Sequence, residues 1–231
     1  MEIRLAPELT LFLPARDRNG PVRVDADGTS SLGHVVEALG VPLPEVGRLV
    51  VDGTEVTAGH RPAAAEIVHV HAVTRPQPAP PRFLLDVHLG TLARRMRLVG
   101  LDTAYHNDMD DPELVVQANT ERRVLLTQDR GLLRRRALWF GAYVRGSRPD
   151  DQFADVLDRF APPLAPRTRC TACNGLLDPV AKADVAHLVP EGTRRTQDEF
   201  ARCRDCDQVY WPGAHSEHLE SIIAAARRTG S

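Results

Sequence analysis

The period of the hydrophobic pattern changes along the chain. Ile3 to Leu13, Val22 to Val24, Arg48 to Val51 and Ile67 to Val73 are short apolar-rich runs of the strand type, whereas Ser31 to Leu39 has helical spacing and closes at Gly40. Asp52-Gly53, between Val51 and Val56, is a two-residue hairpin signal, because both residue types accept the positive φ the turn requires. From residue 83 strand and helix alternate. Phe83-Leu84-Leu85 predicts a strand ending at Asp86, and Leu89, Leu92, Ala93, Met96 and Val99 then share one helical face ahead of Gly100, placed just past the helix end. Leu101 to Tyr105 predicts the next strand. An acidic loop, Asn107 to Asp111, follows it, and then a helix with Pro112 at its first position and Leu114, Val115 and Ala118 facing inward. Arg123 to Thr127 is the clearest strand, followed by Gln128-Asp129-Arg130 and a helix from Gly131 to Leu138. Tyr143-Val144 leads to Asp150 and Asp151, which precede an amphipathic helix bearing Phe153, Val156, Leu157 and Phe160.

Prolines divide this pattern. Arg75 to Arg82 holds four prolines in eight residues and reads as an extended spacer, and Pro162, Pro163 and Pro166 stop the last of those helices. The expected units are residues 1–74, a linker over 75–81, residues 82–164, and residues 165–231 ending in a helix. In the first, a hairpin, a helix and short strands fit a small α+β domain of the ubiquitin-like β-grasp type. It is similar to the sulfur-carrier proteins, but its last strand runs through His69, His71 and Val73 into the proline-rich stretch, without the reactive Gly-Gly end. An interaction or positioning role, with a protein partner, is expected instead. In the second, repeated strand–helix units imply a parallel α/β sheet whose carboxyl strand ends share one edge, the edge where such folds bind ligands.

Composition narrows the function. With 42% apolar and 26% charged residues among 231, the chain has the balance of a globular protein. No apolar run approaches the ~20 residues of a membrane-spanning helix, and the start, Met1 to Leu13, has no leader pattern, so a cytoplasmic protein with no membrane partner is expected. The net charge of −2 excludes a polycation, yet residues 76–166 concentrate charge, with 12 acids and 13 arginines.

Asp86, the Asp108 to Asp111 group, Asp129 and Asp150/Asp151 all leave strand ends of the second unit. Carboxylates brought together repel unless protonated or bridged by cations, and Mg²⁺ or Mn²⁺ held by a few of them activates water against a phosphodiester. Capping is the alternative for several: Asp111 fits an N-cap ahead of Pro112, Asp150 or Asp151 fits a cap of the last helix, and Asp102 reads as a solvated acid. Arg94, Arg95, Arg97, Arg122, Arg123 and Arg134 to Arg136 flank these acids. Arg94 and Arg95 lie opposite the apolar stripe and reach solvent, so phosphate contact and a solvated face both fit them.

All four cysteines lie in the last unit, as Cys170-x2-Cys173 and Cys203-x2-Cys206. Two such knuckles complete a tetrahedral, closed Zn²⁺ site whose role is to hold a small domain together. Disulfides are the rival, against which a cytosolic setting argues. His215 and His218 are surplus to that site. Tyr210-Trp211 beside flanking arginines suits base stacking or the packing of a minimal core.

FLLDVHLGTLARRMRLVGLDT, RVLLTQDRGLL, RCTACNGLL and EFARCRDCDQVYWPGAHSEHL together resemble the Mut-seven C-terminal RNase family, a PIN-like nuclease domain with a zinc ribbon, over about residues 82–223. Residues 1–74 resemble the ubiquitin-like module that some members carry ahead of it. The resemblance implies metal-dependent RNA cleavage, with catalytic acids at Asp86, at Asp129 of Thr127-x-Asp129-x-x-Leu132, and less closely at Asp110 or Asp111 and Asp151. Arg94, Arg95, Arg130, Tyr210 and Trp211 are the expected RNA contacts. The rival from another class is a zinc-ribbon RNA-binding or adaptor protein without catalysis. Since the first unit contributes no acid, its removal is expected to leave cleavage of short single strands largely intact.

Overall fold

The computed structural model describes residues 1–212 together with Ser221 and Ala224. The C-terminal helix expected near the chain end, and His215 and His218, lie outside the described residues. In order, the elements are β1 (Glu2–Leu5), β2 (Val22–Arg23), α1 (Leu32–Ala38), β3 (Val46–Val51), β4 (Thr54–Val56), β5 (Ile67–Ala72), β6 (Arg82–Leu85), α2 (Gly90–Leu98), β7 (Asp102–Tyr105), α3 (Asp111–Thr120), β8 (Val124–Thr127), α4 (Arg130–Leu133), β9 (Gly141–Tyr143), α5 (Pro149–Phe160), β10 (Leu177–Val180), α6 (Lys182–Val185), α7 (Glu191–Thr196), β11 (Phe200–Cys203) and β12 (Val209–Tyr210). The strands form three sheets, ordered β2-β1-β5-β3-β4, β7-β6-β8-β9 and β10-β11-β12. Packing groups the chain into two compact units that do not follow chain order: residues 1–77 with 127–143, and residues 78–126 with 144 onward.

In the first unit β1 and β5 pair in parallel, Ile3 opposite Val68, and β2, β3 and β4 extend the sheet antiparallel, the mixed sheet of a β-grasp domain. The hairpin at Asp52-Gly53 forms as expected, with φ of 45° and 83°. Ser31 caps α1 by accepting the His34 N–H, and Gly40, at φ 106°, leaves it. The run from Ile3 to Leu13 is not one strand. Pro7 has no N–H to donate to a ladder, and Pro7–Phe12 coils as a 3-10 helix that buries Leu9 and Phe12 beside Ile3, Leu32, Val36, Val68 and Val70. α4 is also shorter than the expected helix from Gly131 to Leu138. The N–H groups of Arg134 and Arg135 donate to Gly131 and Leu132 three residues back, tightening and ending the turn at the three consecutive arginines.

In the second unit β6 lies between β7 and β8, parallel to both, with Phe83 opposite Thr103 and Val124, and Leu85 opposite Tyr105 and Leu126. Phe83 to Leu85 and Val124 to Leu126 are all buried, because both faces of a parallel sheet are covered. Leu92, Ala93 and Met96 of α2 and Phe153, Val156 and Leu157 of α5 are buried as the apolar stripes predict. α5 ends at Ala161 in the left-handed conformation, φ 40°. The proline-rich run beyond it packs against α2: the N–H groups of Ala165 and Arg167 donate to the Val99 and Leu98 carbonyls, which the helix itself leaves open. Gly100 permits this approach, since a Cβ there would lie 1.9 Å from the Ala165 carbonyl oxygen.

Asp102, expected to be solvated, is half-buried at the centre of a charged network. Its Oδ1 accepts from Arg123 Nη1 at 2.6 Å and Asn174 Nδ2 at 2.9 Å, and Arg169 lies 3.4 Å from Oδ2. Burial pushes its carboxyl up, but the hydrogen bonds from Arg123 and Asn174 and the surrounding positive charge win, holding it below the usual carboxylate range. Asp102→Ala removes one acceptor of the Arg123 guanidinium, which is only 8% exposed and keeps Glu121 and the Phe83 carbonyl, so stability at pH 7 should fall by about 2 kcal/mol, read as a lower melting temperature. A depressed carboxyl contributes stability above its unfolded pKa and loses it as pH falls through the folded one, so the gap between wild type and variant should close below about pH 4. Equal melting curves at pH 7 would refute the network's role.

Candidate functional site

Asp86 and Asp129 leave the carboxyl ends of neighbouring parallel strands, β6 and β8, and each is fixed by a local turn. Asp86, 8% exposed, donates its N–H to the Leu126 carbonyl at 3.0 Å, while its Oδ1 accepts the Val87 N–H at 2.7 Å and starts a short 3-10 helix, Val87–Leu89. Tyr105 Oη donates to the Val87 carbonyl at 2.7 Å and braces that turn. Asp129 donates its N–H to Thr127 Oγ1 at 2.8 Å, and its Oδ1 accepts from the N–H groups of Gly131 at 2.6 Å and Leu132 at 3.4 Å. The Thr-x-Asp-x-x-Leu pattern therefore has a physical content. Thr127 orients the Asp129 backbone, Asp129 caps α4, and Leu132 plugs the turn into the core.

The remaining acids hold other posts. Asp110, not Asp111, is the N-cap of α3: its Oδ1 accepts the Glu113 N–H at 2.9 Å and the Glu113 carboxylate accepts the Asp110 N–H at 3.2 Å, a closed capping box. Asp111 is the first helical residue, and Pro112 takes the second position rather than the first. Asp150 and Asp151 lie inside the first turn of α5, where carboxylates suit the helix dipole. Asp150 pairs with Arg95 at 2.5 Å. Asp151 receives Arg148 Nε and Nη2 at 2.9 and 3.0 Å, and these bonds lower its carboxyl pKa. Among the described residues, the four cysteines are the only group of three or more His, Cys, Asp or Glu whose ligand atoms lie within 4.8 Å of one another.

The arginines divide in the same way. Arg94 is exposed and lines a polar cleft of about 420 Å³ with Tyr105, His106, Asn107 and Asp108. Arg95, expected to reach solvent, is only 15% exposed and committed to Asp150. Arg97 is buried, donating to the carbonyls of Thr103, Thr171 and Ala172 at 2.9, 3.2 and 2.7 Å. It thereby ties α2 and β7 to the first cysteine knuckle. Arg130, expected to grip RNA, instead directs Nη1 and Nη2 to the carbonyls of Phe12 at 2.8 Å and Leu11 at 3.2 Å.

Cys170 and Cys206 place their sulfurs 3.6 Å apart, and Cys173 and Cys203 theirs 3.4 Å apart, too far for disulfides. Four sulfurs 2.3 Å from one tetrahedral zinc lie about 3.8 Å from each other, so the donor set fits that ion. Backbone N–H groups of Cys173, Gly175 and Asp205 donate to Cys170, Cys173 and Cys203, the arrangement that stabilises thiolates. Burial raises the Cys170 thiol, but hydrogen bonds from Tyr210 and the knuckle backbone bring it to about 6. Cys173, against the same desolvation and three neighbouring sulfurs, is pushed up to about 12. Sulfurs so crowded cannot all ionise without a cation. Strands β10, β11 and β12 complete the ribbon. Tyr210 bonds Cys170 Sγ at 3.0 Å, and Trp211 packs on Phe200, Val185, Val189 and Val209, so both aromatics build the ribbon.

Asp102, Arg97 and Asn174 are structural pivots that the sequence pattern does not single out. The one available signal was Asn174, following Cys173 at a knuckle position that takes the left-handed conformation, φ 76°. Its Oδ1 accepts the Thr103 N–H at 2.9 Å, seating the knuckle on β7.

No curated protein and no solved structure matches the chain. Family models do: the Mut7-C RNAse domain over residues 81–223 and the Mut7-C ubiquitin domain over residues 1–78. The first spans more than half of the chain and takes in both the parallel sheet and the cysteine ribbon. The chain belongs to the Mut7-C RNAse domain family and carries the Mut7-C ubiquitin domain ahead of it.

Proposed function

We propose that the protein is a metal-dependent ribonuclease in which Asp86 and Asp129 hold Mg²⁺ or Mn²⁺ and the ribbon holds a structural Zn²⁺. The observation that carries this reading is the pairing of β6 with β8, which sets two capped aspartates at the carboxyl ends of adjacent parallel strands. Open α/β sheets bind their ligands at that edge. A divalent ion there supplies Lewis-acid activation of water and neutralises charge at the phosphoryl group. The chain's own part is positioning. Thr127 and the N–H groups of Gly131 and Leu132 fix one face of Asp129, and its other oxygen, Oδ2, has no hydrogen-bond partner among the described residues. Arg94, exposed on α2 beside the His106 and Asn107 cleft, would contact a phosphate oxygen; its exposure supports this reading. A cytoplasmic setting, with thiols kept reduced for zinc, fits the same reading.

A second reading, RNA binding or an adaptor role without catalysis, is favoured by the other acids. Asp110 is held in its capping box and Asp150 and Asp151 by arginines, so these three carboxylates are drawn away from the metal-binding role the sequence pattern gives them.

Asp129→Asn removes a metal-binding charge at constant shape, and turnover should fall about 100-fold or more while RNA affinity holds or rises. Cleavage that depends on Mn²⁺ and survives this substitution places the site elsewhere; RNA bound but never cut with any divalent ion establishes the second reading. Arg94→Ala should weaken RNA binding and reduce the slope of log K against log salt by about 1, one phosphate contact. An unchanged slope removes Arg94 from the interface. Cys203→Ser should abolish stoichiometric zinc and unfold the ribbon, because zinc binding energy is folding energy. A variant with full zinc content and an unaltered melting curve would disprove the ribbon assignment.

A further inference from the structure

Arg130 is the residue after Asp129, and it is half-buried. Both terminal nitrogens donate to main-chain carbonyls of the ubiquitin-like module, those of Phe12 and Leu11, and its carbon lies 5.1 Å over the Phe12 ring. Those carbonyls sit at the end of the 3-10 helix Pro7–Phe12, where helical bonding leaves acceptors open and a cation is favoured. Gly40 makes room for the contact, since a Cβ there would lie 2.7 Å from the Phe12 oxygen and 3.9 Å from Arg130 Nη1. The same module holds the rest of the segment that follows Asp129. Arg134 Nη2 donates to the Glu37 carbonyl at 2.6 Å. At the far end the Tyr143 N–H donates to Glu45 Oε1 at 2.8 Å, with Glu45 fully buried, and the Tyr143 ring meets Phe12 edge-on at 5.0 Å.

We infer that the ubiquitin-like module sets the position of the Asp129 carboxylate, and that Arg130 is the positioning residue through which it does so. A helix of one turn, as α4 is, has too few internal bonds to stand alone. The Asp129 carboxylate is oriented by the N–H groups of Gly131 and Leu132 within that turn. Whatever anchors the turn therefore anchors the carboxylate: Leu132 and Leu133 are buried in the core, and the pair of carbonyls at Leu11 and Phe12 is the polar anchor, reached through Arg130. On this inference residues 1–75 are required for full cleavage, the opposite of the expectation drawn from the sequence. They contribute no acid, but they hold the turn that carries one. The inference rests on the proposed role of Asp129 as a metal ligand.

The test compares full-length wild type, Arg130→Ala and the milder Arg130→Lys, by amide hydrogen exchange and by the Mn²⁺ concentration that half-activates cleavage of a single-stranded RNA. In Arg130→Ala, exchange at Gly131 and Leu132 should accelerate about tenfold or more, as expected when charge-assisted bonds to an anchor are lost. Ile3 and Val68 in the module's core should keep wild-type exchange, the half-activating Mn²⁺ concentration should rise by a similar factor, and RNA affinity should not change. Arg130→Lys, which keeps the charge and a single carbonyl bond, should fall between the two and guards against an alanine variant that does not fold. Unchanged exchange at Gly131 and Leu132 in both variants overturns the inference. Faster exchange with an unmoved Mn²⁺ dependence supports the anchor and removes Asp129 from the metal site, which separates failure of this inference from failure of the functional reading.

Discussion

Parallel pairing of Phe83–Leu85 with Val124–Leu126 is the constraint on which the remaining architecture rests. Each strand is only four residues long, and all six of these residues are buried, so the register is held by apolar side chains on both faces. Sliding β8 by one residue would turn Leu125 and Thr127 to the wrong faces and carry Asp129 with them. Because the strands are parallel, both end at the same edge, and each chain leaves it through an aspartate that caps the next turn. At Asp129 capping and metal binding are compatible, since Oδ1 serves the turn and Oδ2 has no hydrogen-bond partner among the described residues.

The cysteine ribbon is an integral part of the unit that contains this sheet. Arg97 reaches from α2 to the carbonyls of Thr171 and Ala172, and Asn174 bridges the Thr103 N–H and the Asp102 carboxylate. The first knuckle thus shares hydrogen bonds with β7, and β7 supplies Tyr105, whose hydroxyl braces the turn after Asp86, so the knuckle is joined to that turn through β7.

Features carried by neighbouring residues were legible in the sequence. The Cys-x2-Cys knuckles, the Asp52-Gly53 hairpin, the Gly100 helix end and the Thr127-x-Asp129-x-x-Leu132 turn each depend on a few consecutive positions whose chemistry allows little else. Contacts across long separations were not. Arg130 reads as a phosphate ligand from its neighbours and is claimed by carbonyls 118 and 119 residues away. Asp102 reads as a surface acid and is drawn inward by Arg123, Arg169 and Asn174, none of which its own segment announces. Pro7 was decisive for the run from Ile3 to Leu13, and alternation of apolar residues outweighed it in the sequence pattern although its missing N–H excludes a continuous strand. Charge runs misled for the same reason. Arg94 and Arg95 are adjacent, yet one is exposed and the other is paired to Asp150, a difference set by α5 rather than by α2.

The central claim is that Asp86 and Asp129 share one divalent ion. Crystals of the full chain soaked in Mn²⁺, with diffraction recorded at the manganese absorption edge, test it directly. The account predicts an anomalous peak in coordination contact with carboxylate oxygens of both residues, lost in Asp129→Asn, while zinc remains on the four cysteines. Manganese bound at another set of acids, or no peak under conditions in which the protein cuts RNA, contradicts it.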